Sequence, residues 1–220
     1  HPLHHRYRNQ SLWLHRLGQI NPHFLFNTLN MIQQLTFIGQ PEETMKAVEL
    51  LSKLLRYGIS RKKYATAEQE MENARDYMQI QQIRYNNRLE FQAYLDSSAV
   101  EALLPLIILQ PLVENSVIHG MNHKEKELIV GIEISHIKNK LQIRVYDNGK
   151  GMTAEELEKL KYTENSSAGS VGLKNIRRRL EIFFREDVEV QIKSQPYVYT
   201  EVFISAPFIM EEDYAESADD

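Results

Sequence analysis

The sequence has no cysteine, which excludes disulfides, thiol catalysis and cysteine-ligated zinc and fits a reducing compartment. It has no apolar run near the roughly 18–20 residues needed to span a bilayer. Its first eight residues hold neither an initiator methionine nor the apolar stretch of a signal peptide. The expectation is a piece of a longer protein, with any membrane anchor in a region preceding His1 and this portion in the cytoplasm. Basic charge is not in surplus either. The 26 Lys and Arg face 30 Asp and Glu, a net charge of −4, so the electrostatic footprint of a nucleic-acid binder is missing. Internal repeats and a Walker-type G-x-x-x-x-G-K-[ST] loop are also missing. What remains is ordinary globular material: 220 residues, 42% hydrophobic and 25% charged, enough for one or two domains with a core.

The first half reads as helix. Residues 10–20 carry apolar side chains at helical spacing, and Pro22 then kinks that helix or starts a new one. From Pro22 the pattern runs to Ile38, with Gly39 as its stop. Leu25, Leu29 and Ile32 form an apolar stripe that Phe24, Met31, Leu35 and Ile38 widen. A second helix begins at Pro41, with Glu42 and Glu43 at the positive end of its dipole. It carries Met45, Val48, Leu51 and Leu55 and ends near Gly58. Residues 61–63 read as a basic turn. A third helix follows Thr66, with Gln69 completing a capping box, and runs to about Tyr85.

Near Arg88 the period changes. Residues 89–95, 128–135, 141–146, 188–194 and 200–206 read as strands, with a Lys138-Asn139-Lys140 turn between the second and third. Residues 103–119, 153–160 and 172–184 read as helices, 165–170 as a mobile loop, and the acidic stretch after Met210 as disordered.

Four places carry candidate chemistry. His23, Asn27, Asn30 and Gln34 recur at i, i+4, i+7 and i+11, a polar stripe that exposes the imidazole. A neutral imidazole offers a lone pair to an electrophilic phosphorus without needing a strong base. A solitary helical histidine is more often a surface or interface residue, and only the second half of the chain alters that reading. There, Leu109 to Gly120 is an apolar helix with Glu114, Asn115 and His119 near its end; Asn115 supplies a neutral oxygen suited to a magnesium ion already held by phosphates. The competing reading is a buried helix with a polar exit. Asp147-Asn148-Gly149-Lys150-Gly151-Met152 follows a strand, so a carboxylate precedes a backbone able to approach a base or phosphate closely. A plain Asn-Gly turn competes. A dinucleotide fingerprint fails because its third glycine is Ala154, and an EF-hand fails because Gly149 and Gly151 fall at ligand positions. Finally, a loop containing Gly169 opens a helix at Gly172 and Leu173, whose first N–H groups can hold phosphates, with Lys174, Arg177, Arg178 and Arg179 adding charge nearby.

In this order the motifs resemble a sensor histidine kinase of the LytS/YehU type over roughly residues 17–207. Gln19-Ile20-Asn21-Pro22-His23-Phe24-Leu25-Phe26-Asn27 is similar to the phosphoacceptor box of that family, Leu109 to Gly120 to its N box, Asp147 to Gly151 to its G1 box and Ser170 to Leu173 to its G2 box. The resemblance implies an α+β chain: a helical dimerisation hairpin over 1–87, a Bergerat (GHKL) α/β sandwich that binds ATP over 88–208, and an acidic tail over 209–220. It implies His23 as phosphoacceptor, Asn115 as Mg²⁺ ligand and Asp147 on adenine, with His119, Gly149, Gly151, Met152, Gly169, Gly172 and Leu173 around the nucleotide. Glu114, beside Asn115, is expected to orient a water or assist the acceptor. ATP and Mg²⁺ are the expected cofactors. The expected partners are a second copy of the chain and a response regulator whose aspartate receives the phosphoryl group. The sequence departs from the family at Ile118, where a basic residue is frequent, and at Ser170, where a glycine is; Phe24 stands where other histidine kinases have an acidic neighbour of the histidine. It departs from gyrase-type ATPases at Pro111, the place of their catalytic glutamate, which favours transfer over hydrolysis. The rival readings are a GHKL ATPase without histidine transfer and a nucleotide-binding pseudokinase.

Overall fold

The structure is a computed structural model; it describes residues 21–121, 127–162, 171–185 and 187–216. The chain divides into two compact units, His1–Lys62 with Asp76–Asn87 and Lys63–Arg75 with Arg88–Asp220. The expected helix over 10–20 and the loop over 165–170 lie outside the described residues.

The first unit contains α1 (Pro22–Phe37), α2 (Pro41–Gly58) and the second half of α3 (Ala67–Arg84). Proline occupies the first turn of both α1 and α2, where its missing N–H costs nothing. Asn21 caps α1, its Oδ1 accepting the His23 N–H at 3.1 Å. Gly39, at φ +75°, ends the helix in the left-handed region that glycine adopts without strain.

The expected apolar stripes are buried along one edge only: Phe24, Met31, Leu35 and Leu51 are buried, while Leu25, Ile32 and Leu55 are half-buried. Phe24, Thr28, Met31 and Leu35 of α1 are buried, and on α2 the buried set is Ala47, Leu50, Leu51 and Leu54. Leu29, Met45 and Val48, read as core, are exposed, as is Phe26. Each helix carries one broad apolar arc, of which the chain buries a part. Periodicity detects the arc but cannot say which part of it the chain folds against itself. Phe24 also meets the Tyr77 ring of α3, with centroids 5.0 Å apart.

The second unit is built on a five-stranded sheet in the order β2-β4-β5-β7-β6. Its strands are β2 (Leu89–Leu95), β4 (Leu128–Ile137), β5 (Lys140–Asp147), β6 (Glu189–Gln195) and β7 (Tyr199–Pro207). Only the β2–β4 pair is parallel. The β4–β5 hairpin turns at Lys138 and Asn139, both at positive φ as a two-residue turn requires. β5 alternates strictly. Leu141, Ile143 and Val145 point into the core, while Lys140, Gln142, Arg144 and Tyr146 lie on the other face. There the Arg144 guanidinium donates to Glu133 (3.2 Å) and Glu201 (2.8 Å). The helices α4 (Leu109–Met121) and α6 (Val171–Phe184) cover the apolar face with Leu109, Leu112, Val113, Val117, Ile176 and Leu180, all fully or nearly fully buried. Each aliphatic side chain so buried contributes roughly 1.5–3 kcal/mol. α5 (Ala154–Tyr162) begins with a reciprocal capping box between Thr153 and Glu156.

Two further expectations are corrected. Residues 103–119 are not one helix: Leu103–Pro105 is a short strand, β3, paired antiparallel with β1 (Tyr64–Thr66), and α4 starts only at Leu109. The apolar run is continuous, so sequence alone does not reveal the break. It lies at Ile107, whose φ of +59° ends any regular element. The stretch after Met210 is not disordered over its described part. It forms α7 (Glu211–Glu216), and Tyr214 stacks on Phe183 with centroids 5.2 Å apart. One aromatic ring docks a segment whose average composition is that of a solvated tail.

Candidate functional site

Beside the core of the second unit is a cavity of about 640 Å³ walled by α4, α5, α6 and the strand-end loop after β5, a size usual for small-molecule sites. α4 contributes Leu112, Asn115, Ser116 and His119, at i, i+3, i+4 and i+7, one face of a helix. β5 ends at the cavity floor with Asp147, which is 6% exposed and whose Oδ1 accepts the Gly149 N–H at 2.9 Å. Its cross-strand neighbour Thr200 also lines the cavity.

The loop after Asp147 works through missing side chains. Gly151 has φ +65°, and a Cβ there would stand 2.0 Å from the Gln195 carbonyl oxygen. Only glycine lets this backbone run beside β6 while Gly151 and Met152 face the cavity. Met152 N–H donates to Ser194 Oγ at 2.8 Å, which fixes the loop to the sheet. Gly149 is not on the cavity wall. It lies behind Asp147, and a Cβ there would meet both the Asp147 carboxylate and the Gly120 Cα within 3 Å.

On the far wall α6 opens at Gly172 and Leu173, and a Cβ on Gly172 would lie 3.4 Å from the Asn115 amide nitrogen. The mouth also carries Lys150, Lys159 and Glu156. The Thr153 backbone N–H holds the Glu156 carboxyl below its ordinary value; burial opposes this, and Lys150, the Thr153 hydroxyl and Lys159 reinforce it.

The residues expected from sequence thus distribute unevenly. Asn115, His119, Asp147, Gly151, Met152, Gly172 and Leu173 meet in this one cavity. Glu114 is on α4 but not on the wall, since the next residue along a helix points about 100° away. Gly169 lies outside the described residues. Lys174, Arg177, Arg178 and Arg179 do not line the cavity; Arg177 donates to the Val190 carbonyl and Arg179 to the Leu106 and Ile107 carbonyls. Ser116 and Leu112 were missed although the helical repeat through Asn115 marks them. Lys150 was passed over inside its own motif. Lys159, Thr200, Ile192 and Val202 arrive from elements that only the fold brings together.

His23 belongs to the other unit. It is exposed, in the first turn of α1, and the Asn27 amide nitrogen lies 3.1 Å from both ring nitrogens. Asn27 therefore donates to whichever nitrogen carries no proton.

A metal or nucleotide at the cavity is judged by these donors. Among the described residues no group of three or more His, Asp or Glu side chains could hold a metal ion alone. A single amide oxygen fits Mg²⁺ only when phosphates supply most of its ligands. The cavity volume, the recessed carboxylate and the helix start at Gly172 fit a nucleotide that brings those phosphates.

Comparison with known proteins matches both units. The family model described as "Histidine kinase" matches residues 16–89, and that described as "Histidine kinase-, DNA gyrase B-, and HSP90-like ATPase" matches residues 102–209. The chain is 35% identical to "Sensor histidine kinase YesM" of Bacillus subtilis, over 86% of this chain and 32% of that protein. It is 32% identical to "Sensor protein LytS" of Staphylococcus epidermidis, over 80% of this chain and 30% of that one. It is 30% identical to "Sensor histidine kinase YpdA" of Escherichia coli, over 79% and 31% respectively. The chain thus spans about a third of the length of these curated relatives. Among solved structures, the histidine kinase domain of a blue-light activated histidine kinase from Erythrobacter litoralis superposes with a TM-score of 0.51 at 12% identity, covering 88% of this chain and 98% of that one. That likeness is one of fold.

Proposed function

The chain belongs to the sensor histidine kinases of the LytS/YesM type, and from that premise we propose that it is the catalytic portion of such a kinase, which binds Mg-ATP and transfers the γ-phosphoryl group to His23. The observation that carries this reading is the convergence of Asn115, Asp147, Gly151 and Gly172, scattered over nearly sixty residues, on one cavity.

Asp147 would receive the adenine amino group. Its floor position and the glycine backbone above it suit a flat base, and the Gly149 N–H already orients the carboxylate. The phosphates would extend toward the start of α6, where Gly172 lies beside the Asn115 side chain. Asn115 would hold Mg²⁺ through its amide oxygen, and the metal, when bound, neutralises charge on the phosphate oxygens. His119, one turn along α4, and Met152 and Leu173 complete the enclosure.

In the transfer, the unprotonated ring nitrogen of His23, released by the Asn27 amide, forms a bond to phosphorus as the bond from phosphorus to the bridging oxygen breaks. The electron pair leaves on ADP, and the other ring nitrogen releases its proton. Little covalent chemistry is asked of the protein; positioning and charge are the main requirements. Asn21 and Pro22 put His23 in the first turn of α1, where the helix dipole favours the negative charge it acquires. Asn27 orients the ring. Pro111, in the first turn of α4 four residues before Asn115, leaves no carboxylate where a gyrase-type ATPase activates water, which supports transfer over simple hydrolysis. The helical portion over 1–87 and the nucleotide portion over 88–208 divide these tasks, with residues 63–75 belonging to the second unit. Exposed Phe26, Leu29, Met45 and Val48 support a homodimer joined through the exposed parts of the apolar arcs of α1 and α2. Among the described residues no helix is long and apolar enough to cross a membrane; an anchor in the parent protein and a response regulator as final acceptor complete the proposal.

The test is incubation with γ-labelled ATP and Mg²⁺. Acid-labile, base-stable label on the protein, lost in His23→Gln and in Asn115→Ala, is the expected result. Phosphate release into solution without labelled protein would instead favour the ATPase reading.

A further inference from the structure

In the nucleotide unit, a buried carboxylate and a guanidinium act on the same four residues, 106–109, which join β3 to α4. Three consecutive N–H groups there converge on Glu70 of α3, which is fully buried. Its Oε1 accepts from Ile107 at 2.6 Å, and its Oε2 accepts from Ile108 at 2.7 Å and from Leu109 at 3.0 Å. These are the donors that the first turn of a helix leaves without partners. From the opposite side Arg179 of α6 donates to the carbonyls of Leu106 and Ile107. Leu106 N–H donates to the Lys63 carbonyl. Between these groups sits Ile107, a β-branched residue at φ +59°, a conformation that persists only where the surroundings impose it.

We propose that Glu70 and Arg179 are positioning residues for nucleotide binding: they hold the strained turn at Ile107 that sets where α4 begins, and so place Asn115 and His119 against α6. This rests on the cavity being the Mg-ATP site. α4 presents Leu112, Asn115, Ser116 and His119 as one rigid row, so a shift of its first turn displaces all four together. α6 lines the cavity at Gly172 and Leu173 and, two turns later, is tied by Arg179 to the turn from which α4 starts. The two helices thus meet at two places: Gly172 lies beside Asn115, and Arg179 donates to the 106–107 carbonyls. Burial lowers the Arg179 guanidinium from its ordinary value, and the Glu70 carboxylate opposes that. A helix cap alone would need no arginine on the carbonyl side. Such a cap would stabilise α4 without bearing on what binds beside it.

The experiment compares the 220-residue chain with Glu70→Gln, Arg179→Gln, Arg179→Lys and the Glu70→Gln/Arg179→Gln double variant. The affinity for the non-hydrolysable analogue Mg-AMP-PNP is measured at a temperature where every variant is folded by circular dichroism. Hydrogen exchange is followed in peptides covering 106–121. Expected is a loss of about tenfold or more in affinity for either Gln variant, since small misplacements of a binding group are costly. The lysine variant should lose less, and the double variant should lose far less than the product of the single losses, because both residues serve one turn. Exchange over 106–121 should quicken while that of the β4–β5 hairpin does not. Variants that melt earlier yet bind within about twofold of the wild type would overturn the proposal and leave a structural cap. Failure of the wild type itself to bind Mg-AMP-PNP would overturn the nucleotide reading, a different result from equal binding by all.

Discussion

At the scale of single residues, the cavity floor makes the sharpest demands. Asp147 is nearly buried, with one oxygen already committed to the Gly149 N–H. Asp147→Asn keeps the volume but exchanges an acceptor for a donor, which leaves a mismatch at the adenine amino group. The expected outcome is a loss of roughly tenfold to a hundredfold in ATP affinity by calorimetry, with melting temperature little changed, since a mispaired buried polar group costs about 1–3 kcal/mol. Gly151→Ala should be worse for the fold, because a Cβ would meet the Gln195 backbone. These demands show how much of the site can be read locally. Asn115, Asp147, Gly151 and Gly172 each stand in a motif whose residue types match their task. Thr200 and Lys159 stand in no motif, because what makes them part of the cavity is a cross-strand register and a helix placed over it.

At the scale of elements, α5 is a wall of the cavity, and its first turn depends on the Thr153–Glu156 box. Thr153→Ala should lower stability by about 1 kcal/mol, read in a chemical denaturation curve. The same box gives a pH signature. The carboxyl of Glu156 is held below its ordinary value, first by the Thr153 N–H. Its stabilising effect is therefore present above the unfolded value and lost as pH falls through the folded one. As pH falls from above the ordinary carboxylate value to below it, Glu156→Gln should lose less stability than the wild type, measured by melting temperature. α1 and α2 show the limit of element-level reading. Their caps, prolines and lengths follow from residues 21–58, yet of the expected stripes Phe24, Met31, Leu35 and Leu51 are buried while Leu29, Met45 and Val48 are exposed. Which part of each apolar arc is buried depends on what packs against it, as Tyr77 does on Phe24, and not on either helix alone.

For the whole molecule, binding and transfer are separable, because Asn115 and Asp147 lie in one unit and His23 in the other. Mg-ATP at about a hundred times its Kd should raise stability by about 2.7 kcal/mol. His23→Gln should keep that gain in a thermal shift measurement while losing all acid-labile label, and Asn115→Ala should lose the magnesium-dependent part of the gain. Equal loss of the thermal shift in His23→Gln would mean that His23 supports the nucleotide site rather than accepting from it. By itself the sequence determined the kinds of elements, most of their ends and four motifs, because caps, turn residues and hydrophobic periods are encoded within a few residues of where they act. Tertiary structure alone decided the break at Ile107, the strand pair formed by residues 64–66 and 103–105, the docking of α7 through Tyr214, and the diversion of Arg177 and Arg179 from phosphate-side charge to backbone ties. In each case the deciding partner lies far along the chain. The partners are the buried Glu70 carboxylate, a facing strand, the Phe183 ring and backbone carbonyls, and none of them stands next to the residue it fixes.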